Sequence, residues 1–236
     1  MLQDERARLM TTQKHQQQYI QRAVFERKGA TSYIGHLDLM RVFERAIRRA
    51  ELPILYTQGY NPRPIMVFAL PLGVGVNTEG DYVDVAMSVP INSEEFVEKV
   101  NYMLPAGVKI LKAISLPEQK DSLMSLVTAA DYRINAKSIG DVAPDILKFD
   151  SIMTTKKSKG KEISVDIRNL IYDVRRINED EITLKVAAGS SNNLRPDVFL
   201  RAVCEKMCYS VENSSNSDIC RTALYKGEYP KIELIM

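Results

Sequence analysis

Residues 36–50, HLDLMRVFERAIRRA, place apolar and charged side chains with the period of an α-helix. A helix with this pattern packs its apolar side on a core and leaves its basic side facing solvent. The pattern therefore predicts an α/β or α+β domain in which this helix covers a sheet. The predicted apolar side holds Leu39, Met40, Val42, Phe43, Ala46, Ile47 and Ala50, and the predicted basic side holds Arg41, Arg45 and Arg48.

The segments around this helix predict an α+β fold. Asn92 and Glu95 form an Asn-type capping box, which predicts a second helix over EEFVEKVNYML. Apolar runs bounded by glycine and proline predict strands on either side of both helices. The resulting β-α-β-β-α-β order is typical of a ferredoxin-like unit. The predicted strands are 19–28, 54–57 with 65–70 as the two sides of a loop, 81–88 and 108–114.

The second part of the chain repeats this theme less clearly. A strand is predicted over 130–136, a helix over 143–153, a basic loop TTKKSKGK, two strands broken near Asn178–Asp180, and a helix from Pro196 to about Tyr209. We predict three parts: a polar N-terminal extension over 1–18, a ferredoxin-like domain over 19–116, and a second, similar α+β domain over 117–236.

Composition and charge limit the functional classes. No apolar run is long enough for a membrane span, and the three cysteines are too few for a disulfide framework, so we expect a cytoplasmic protein without membrane contact. The net charge is only +2, yet residues 41–63 carry +3 and residues 156–176 carry +4. Two basic zones on an otherwise acidic chain indicate a surface for a polyanion, or two solvated faces with no ligand.

The loop after the first helix has the side chains of a binding site. Gly59, Pro62 and Pro64 restrict its backbone. Its amides, aromatic ring and guanidinium suit stacking on a base and pairing with a phosphate. A well-packed structural turn is the alternative. The candidate binding residues are Arg41, Arg45, Arg48 and Arg49 on the helix and Gln58, Tyr60, Asn61 and Arg63 in the loop.

No catalytic, metal or cofactor site stands out. His36, with Tyr33 three residues before it, is a candidate general acid or base, although a lone histidine is more often structural. Cys204 and Cys208 lie four apart on a predicted helix, but a metal needs further ligands, so we expect core packing. No CxxxCxxC motif occurs, so the chain lacks the usual three-thiolate site of a radical SAM iron–sulfur cluster.

The run from His36 to the loop resembles a known family. HLDLMR (36–41), RRA (48–50) and QGYNPRP (58–64) resemble the radical SAM-linked protein family, with Tyr60 where that family more often has phenylalanine. VDIRNLI, LRPDVFL and CRTALY extend the resemblance over about 20–230. It implies a protein that is fused to, or encoded beside, a radical SAM enzyme, in a genetic context of ribosomal proteins and a ribonuclease.

Three functions follow from the resemblance and the basic surface together. The first is an accessory RNA-binding protein, for tRNA or rRNA, that works with a radical SAM enzyme and has no catalytic activity of its own. The second is a metal-independent RNA endonuclease that uses His36, by analogy with ferredoxin-like nucleases. The third is a protein–protein adaptor without RNA contact. The sequence does not give the oligomeric state.

Overall fold

The computed structural model describes residues 18–117, 121–158 and 161–236. The predicted extension over 1–18 therefore lies, apart from residue 18, outside the described residues. The fold is α+β, with a nine-stranded, mostly antiparallel sheet and a separate two-stranded hairpin. The strands are β1 Tyr19–Arg27, β2 Met66–Phe68, β3 Val76–Met87, β4 Val108–Pro117, β5 Ala129–Asn135, β6 Met153–Ser158, β7 Lys161–Asp166, β8 Ile171–Asn178, β9 Glu181–Ala187, β10 Asp218–Glu228 and β11 Lys231–Leu234. The α-helices are α1 His36–Arg49, α2 Ser93–Met103, α3 Leu123–Leu126, α4 Ile139–Val142, α5 Pro196–Met207 and α6 Val211–Ser215.

The first half of the chain, residues 19–117, forms one end of the sheet. Strand β1 lies between β4 and β3 and is antiparallel to both, and β2 pairs with the last part of β3. Helices α1 and α2 bury their apolar sides against these strands. The rings of Phe25, Phe43 and Phe68 meet edge to face at centroid distances of 5.1 to 5.8 Å. Such pairs add to the stabilisation that apolar burial itself gives.

The second half, residues 121–236, continues the same sheet in the order β10-β5-β9-β8. Its core contains buried side chains from β5, β9 and α5, among them Ile134, Leu184 and Phe199. The same core also includes Val24 and Tyr82 of the first half. The two halves therefore share buried surface as well as a sheet.

Strands β3 and β10 join the two halves. They pair in parallel over three residues, Val76–Thr78 against Ile219–Arg221. Beyond that point Gly80 is buried against the backbone of β10, where an added Cβ would lie 2.3 Å from the carbonyl oxygen of Thr222. Glycine at Gly80 thus permits a close approach of two backbones that any larger residue would block.

Several predicted elements are confirmed. Helix α1 spans His36–Arg49, as its period predicts, and Leu39, Phe43, Ala46 and Ile47 are its buried residues. The Asn92 side chain caps α2 by accepting hydrogen bonds from the N–H groups of Glu94 and Glu95. Helix α5 begins at Pro196, as predicted.

Three predicted elements differ from the structure. In place of a strand over 54–57 the chain forms isolated bridges, Ile54 with Met87 and Tyr56 with Pro64. Instead of one helix over 143–153 the chain forms the short helix α4 and a 3₁₀ helix over Ala143–Lys148, and β6 begins at Met153. Pro144 explains this difference, because proline lacks the N–H that would continue helix α4. The segment TTKKSKGK (154–161), which we expected to be a loop, instead forms most of strand β6 and the first residue of β7. The two strands pair from Met153 with Asp166 to Ser158 with Lys161.

None of the helices in the described ranges is both long enough and apolar enough to cross a membrane.

Candidate functional site

The loop from Gln58 to Arg63 projects from the sheet beside α1. Its base is closed by backbone hydrogen bonds from Thr57 N to Arg63 O (2.8 Å) and from Ile65 N to Leu55 O (2.9 Å). The Arg63 N–H also donates to the Thr57 hydroxyl oxygen at 3.0 Å. All of its residues from 58 to 63 are exposed, and Tyr60 is fully exposed at 103%. The loop is thus anchored at its base and presents its polar and aromatic side chains to solvent.

A single hydrogen bond connects the loop to the basic side of α1. The Arg48 guanidinium donates to the carbonyl oxygen of Pro62 at 3.1 Å. Because Arg48 lies on the same side of the helix as Arg41 and Arg45, this bond places the loop at the C-terminal end of an exposed row of arginines. The helix and the loop form one surface, which we call the α1–loop surface: Arg41, Arg45, Arg48 and residues 58–63.

Arg49 does not face this surface. Its guanidinium donates to the carbonyl oxygen of Met103 at 2.7 Å, which turns the side chain towards α2. There it lines a cleft of about 650 Å³ together with Glu95, Lys99 and Tyr102. Of the four predicted arginines, three share one side of the helix and the fourth lies elsewhere.

One carboxylate partly balances the arginine row. Arg41 forms an ion pair with Asp38 at 2.9 Å, and both side chains are more than half exposed. Exposed pairs of this kind contribute little free energy and exchange readily with solvent ions. The pair therefore leaves Arg41 available to a stronger anion such as a phosphate.

His36 and Tyr33, the candidate catalytic pair, differ in their surroundings. The His36 ring is half-buried and meets the Phe68 ring edge to face, with centroids 5.5 Å apart. Burial lowers the pKa of His36, and the nearby Asp81 carboxylate only partly opposes that effect. Tyr33 ends the 3₁₀ helix Gly29–Tyr33 before α1 and is 73% exposed. The two residues thus offer a neutral imidazole and a free aromatic ring.

Sequence reasoning missed a group of buried charges beneath the start of α1. Arg221 binds Asp81 through two hydrogen bonds of 2.8 and 2.7 Å, and it also donates to Leu70 O. Burial raises the pKa of the Asp81 carboxyl, and the Arg221 guanidinium opposes that rise. A second ion pair, Arg22 with Asp84, is also buried. Arg22 and Asp84 are register partners in β1 and β3, so strand pairing was the signal that could have revealed this pair.

Buried Arg27 fixes the segment that precedes α1. Its guanidinium donates to the carbonyl oxygens of Ile34 (3.2 Å), Gly73 (2.9 Å) and Val76 (2.6 Å). A backbone hydrogen bond from Gly75 N to Ser32 O adds a further link between the same segments. Arg27 is fully buried and therefore holds the start of α1 and the 73–76 loop together from inside.

Two observations concern the metal-binding and thiol side chains of the described ranges. No group of three or more His, Cys, Asp or Glu side chains is arranged there to hold a metal ion. The free cysteines Cys204, Cys208 and Cys220 are half-buried, exposed and buried, respectively. Burial raises the pKa of Cys220 to about 11, which disfavours its thiolate.

A comparison with known families places the chain. The profile of a family described as "uncharacterized protein conserved in bacteria (DUF2344)" matches residues 21–196. The chain belongs to this family. The match covers α1 and the loop, and so includes every predicted site residue. The DUF2344 description names no reaction and no radical SAM enzyme, so that association stays a prediction.

Other comparisons add no function. None of the curated proteins matches the chain. A solved structure of an unknown protein from Galdieria sulphuraria is 13% identical, covers 93% of this chain and 99% of its own, and superposes with a TM-score of 0.26. A TM-score this low carries no argument about fold or function.

Proposed function

We propose that this chain is an accessory RNA-binding protein, for tRNA or rRNA, that works with a radical SAM enzyme and binds RNA through the α1–loop surface. The observation that carries the proposal is the hydrogen bond from Arg48 to Pro62 O at 3.1 Å. It joins an exposed row of guanidinium groups to an exposed loop with an aromatic ring and two amides. RNA-binding proteins combine cations that pair with phosphates and aromatic rings that stack on bases.

We infer that each half is a ferredoxin-like unit. In the first half the sheet order is β4-β1-β3-β2. In the second half the order is β10-β5-β9-β8, in which β5, β8, β9 and β10 take the places of β1, β2, β3 and β4. A cytoplasmic location belongs to the same proposal, since three cysteines are too few for a disulfide framework.

A filter-binding titration tests RNA binding. Purified protein is titrated against bulk tRNA and against ribosomal RNA fragments, at about 50 mM and about 200 mM salt. We expect binding that weakens steeply with salt, and a loss of about tenfold or more in affinity when Arg41, Arg45 and Arg48 are all changed to alanine. The control changes Lys109 and Lys112, exposed cations on the edge strand β4, to alanine, and so removes two charges where the test variant removes three. Absence of RNA affinity at low salt would refute the proposal.

An RNA endonuclease is the second candidate, and one observation favours it. Burial lowers the pKa of His36, so its imidazole is neutral and able to accept a proton near pH 7. The packing of that ring on Phe68 favours a structural role instead. RNA cleavage without added metal that is lost in His36→Ala would support the nuclease, and cleavage that persists in that variant would exclude His36.

A protein–protein adaptor remains the third candidate. In that case the arginine row would meet an acidic surface of the radical SAM enzyme instead of RNA. Co-purification of that enzyme with the wild-type chain, lost after Arg45→Glu and Arg48→Glu, would favour the adaptor. Retention of the enzyme by this double variant would count against it.

A further inference from the structure

Resting on the proposed RNA-binding function, we propose that the α1–loop surface takes single-stranded RNA, which lies along α1 between two stacking rings, Tyr33 and Tyr60. Neither ring is buried: Tyr33 is 73% exposed and Tyr60 is 103% exposed. A tyrosine usually buries its ring and leaves only the hydroxyl in water. Two rings without cover, at the two ends of one basic helix, provide stacking platforms for unpaired bases.

Along the chain between Tyr33 and the loop, one side of α1 carries a continuous exposed row. Leu37, Arg41, Arg45 and Arg48 follow one another at helical spacings of four, four and three, and Leu37 is 68% exposed. From Leu37 to Arg48 the helix rises by about 16 Å. That length suits a short single strand, on the order of four nucleotides. The arginines would pair with successive phosphates, while Leu37 offers an apolar contact beside the first ring.

Both ends of this row are held in place before any RNA binds. Arg27 bonds to Ile34 O and to the 73–76 loop, which fixes the segment that carries Tyr33. Arg48 bonds to Pro62 O and so fixes the loop that carries Tyr60. A surface ordered in advance binds with a smaller entropy cost than one that must order on binding.

The shape of the surface favours an unpaired strand over a duplex. The bases of an RNA duplex are stacked on one another, and its deep, narrow major groove admits no side chains, so its bases would be out of reach of both rings. The surface is also open, because Arg41, Arg45 and Arg48 are all exposed along the helix. An open row suits a polymer rather than an enclosed small molecule.

Fluorescence anisotropy with two RNA probes tests this inference. One probe is a labelled oligouridine of about eight nucleotides, and the other is a blunt RNA duplex of the same length. We expect the single strand to bind about tenfold or more tightly than the duplex. Tyr33→Ala and Tyr60→Ala should each weaken single-strand binding by roughly five- to a hundredfold, with the salt dependence unchanged. Tyr33→Phe and Tyr60→Phe, which keep the ring, should bind like the wild type.

Matched variants separate stacking from charge. Tyr102→Ala removes an 85% exposed tyrosine on α2, on the side to which Arg49 turns, and should change affinity by less than about twofold. Arg45→Ala should instead lower the slope of log affinity against log salt by about 0.7.

The possible failures are distinguishable. Failure of both probes to bind refutes the proposed function and this inference together. Duplex binding as tight as single-strand binding, or tyrosine variants that bind normally while Arg45→Ala weakens binding, overturns the inference and leaves RNA binding intact. A loss in Tyr102→Ala equal to that in Tyr60→Ala also overturns the proposed path.

Discussion

His36 is held in its neutral form by the residues around it. Its ring is packed on Phe68, and burial lowers its pKa, with Arg221 and Arg27 adding to the effect and Asp81 opposing it. The unfolded chain takes up a proton at the ordinary imidazole value of about 6.5. Between the lowered folded pKa and that value, the unfolded state binds more protons than the folded state. The stability that neutral His36 contributes is therefore complete above about pH 6.5 and is lost as the pH falls.

We predict that an NMR titration will find His36 with a midpoint below the ordinary imidazole value. The chain has two histidines, His15 and His36, so His15→Gln should leave the low midpoint and His36→Gln should remove it. The urea midpoint of the wild type should also fall relative to that of His36→Gln as the pH is lowered from about 7.5 to about 5.5. A His36 midpoint at or above the ordinary value would contradict the packing described here.

At this scale the sequence predicts exposure better than burial. The helical period is enough to place Arg41, Arg45 and Arg48 on a solvent-facing side, because three residues on one helix share a local geometry. The helical period does not predict that Arg49 turns towards Met103 O, because that partner lies 54 residues away. Local sequence likewise does not predict that Arg221 is buried, because its partner Asp81 is 140 residues away. The burial of a charged side chain can be predicted only once its partner is known, because an unpaired charge is too costly to bury.

At the scale of elements, the crossing of β3 and β10 depends on one small residue. Gly80 is buried where the two backbones converge, and its N–H donates to the Thr78 hydroxyl, which in turn donates to Arg221 O. The close approach of the carbonyl of Thr222 leaves no room for a side chain. The parallel pairing that joins the two halves therefore requires glycine at this position.

Gly80→Ala should destabilise the protein by about 1–3 kcal/mol, because the added methyl group forces the two strands apart. Urea unfolding followed by circular dichroism should show a lower midpoint at an unchanged slope. The matched control is Gly73→Ala, where the nearest atom, Val76 Cγ2, would lie in ordinary contact at 3.4 Å. Equal losses in both variants would show that Gly80 plays no special part.

Elements with strong local signals were predictable, and elements that depend on distant packing were not. Helix α1 has a long periodic pattern, and α2 has a cap at Asn92. The region over 139–148 has weaker signals, and Gly140 there packs so close to Asn178 O that an added Cβ would lie within 1.9 Å of it. That contact is made by the turn between β8 and β9, so the shape of the short helix α4 depends on residues distant in the sequence.

For the whole molecule, the predicted division into domains 19–116 and 117–236 stays a prediction. The order of elements is enough to suggest two similar halves, but order alone cannot say whether they share a core. The sheet runs from β4 to β8 through the β3–β10 contact, and the second core includes Val24 and Tyr82 of the first half. The buried Asp81–Arg221 pair also crosses between the halves. These contacts favour one cooperative unit.

Asp81→Asn should therefore destabilise both halves together. The change leaves the buried Arg221 without its carboxylate, and removing one partner of a buried ion pair costs about 3–5 kcal/mol. Native-state hydrogen exchange should show amides of β1 and β9 exchanging faster by the same factor, because both report one global unfolding. The control Asp38→Asn, in the exposed pair with Arg41, should cost less than about 1 kcal/mol. Faster exchange confined to β9 would instead show that the second half unfolds alone, and the two halves would then be independent domains joined by a contact that neither needs to fold.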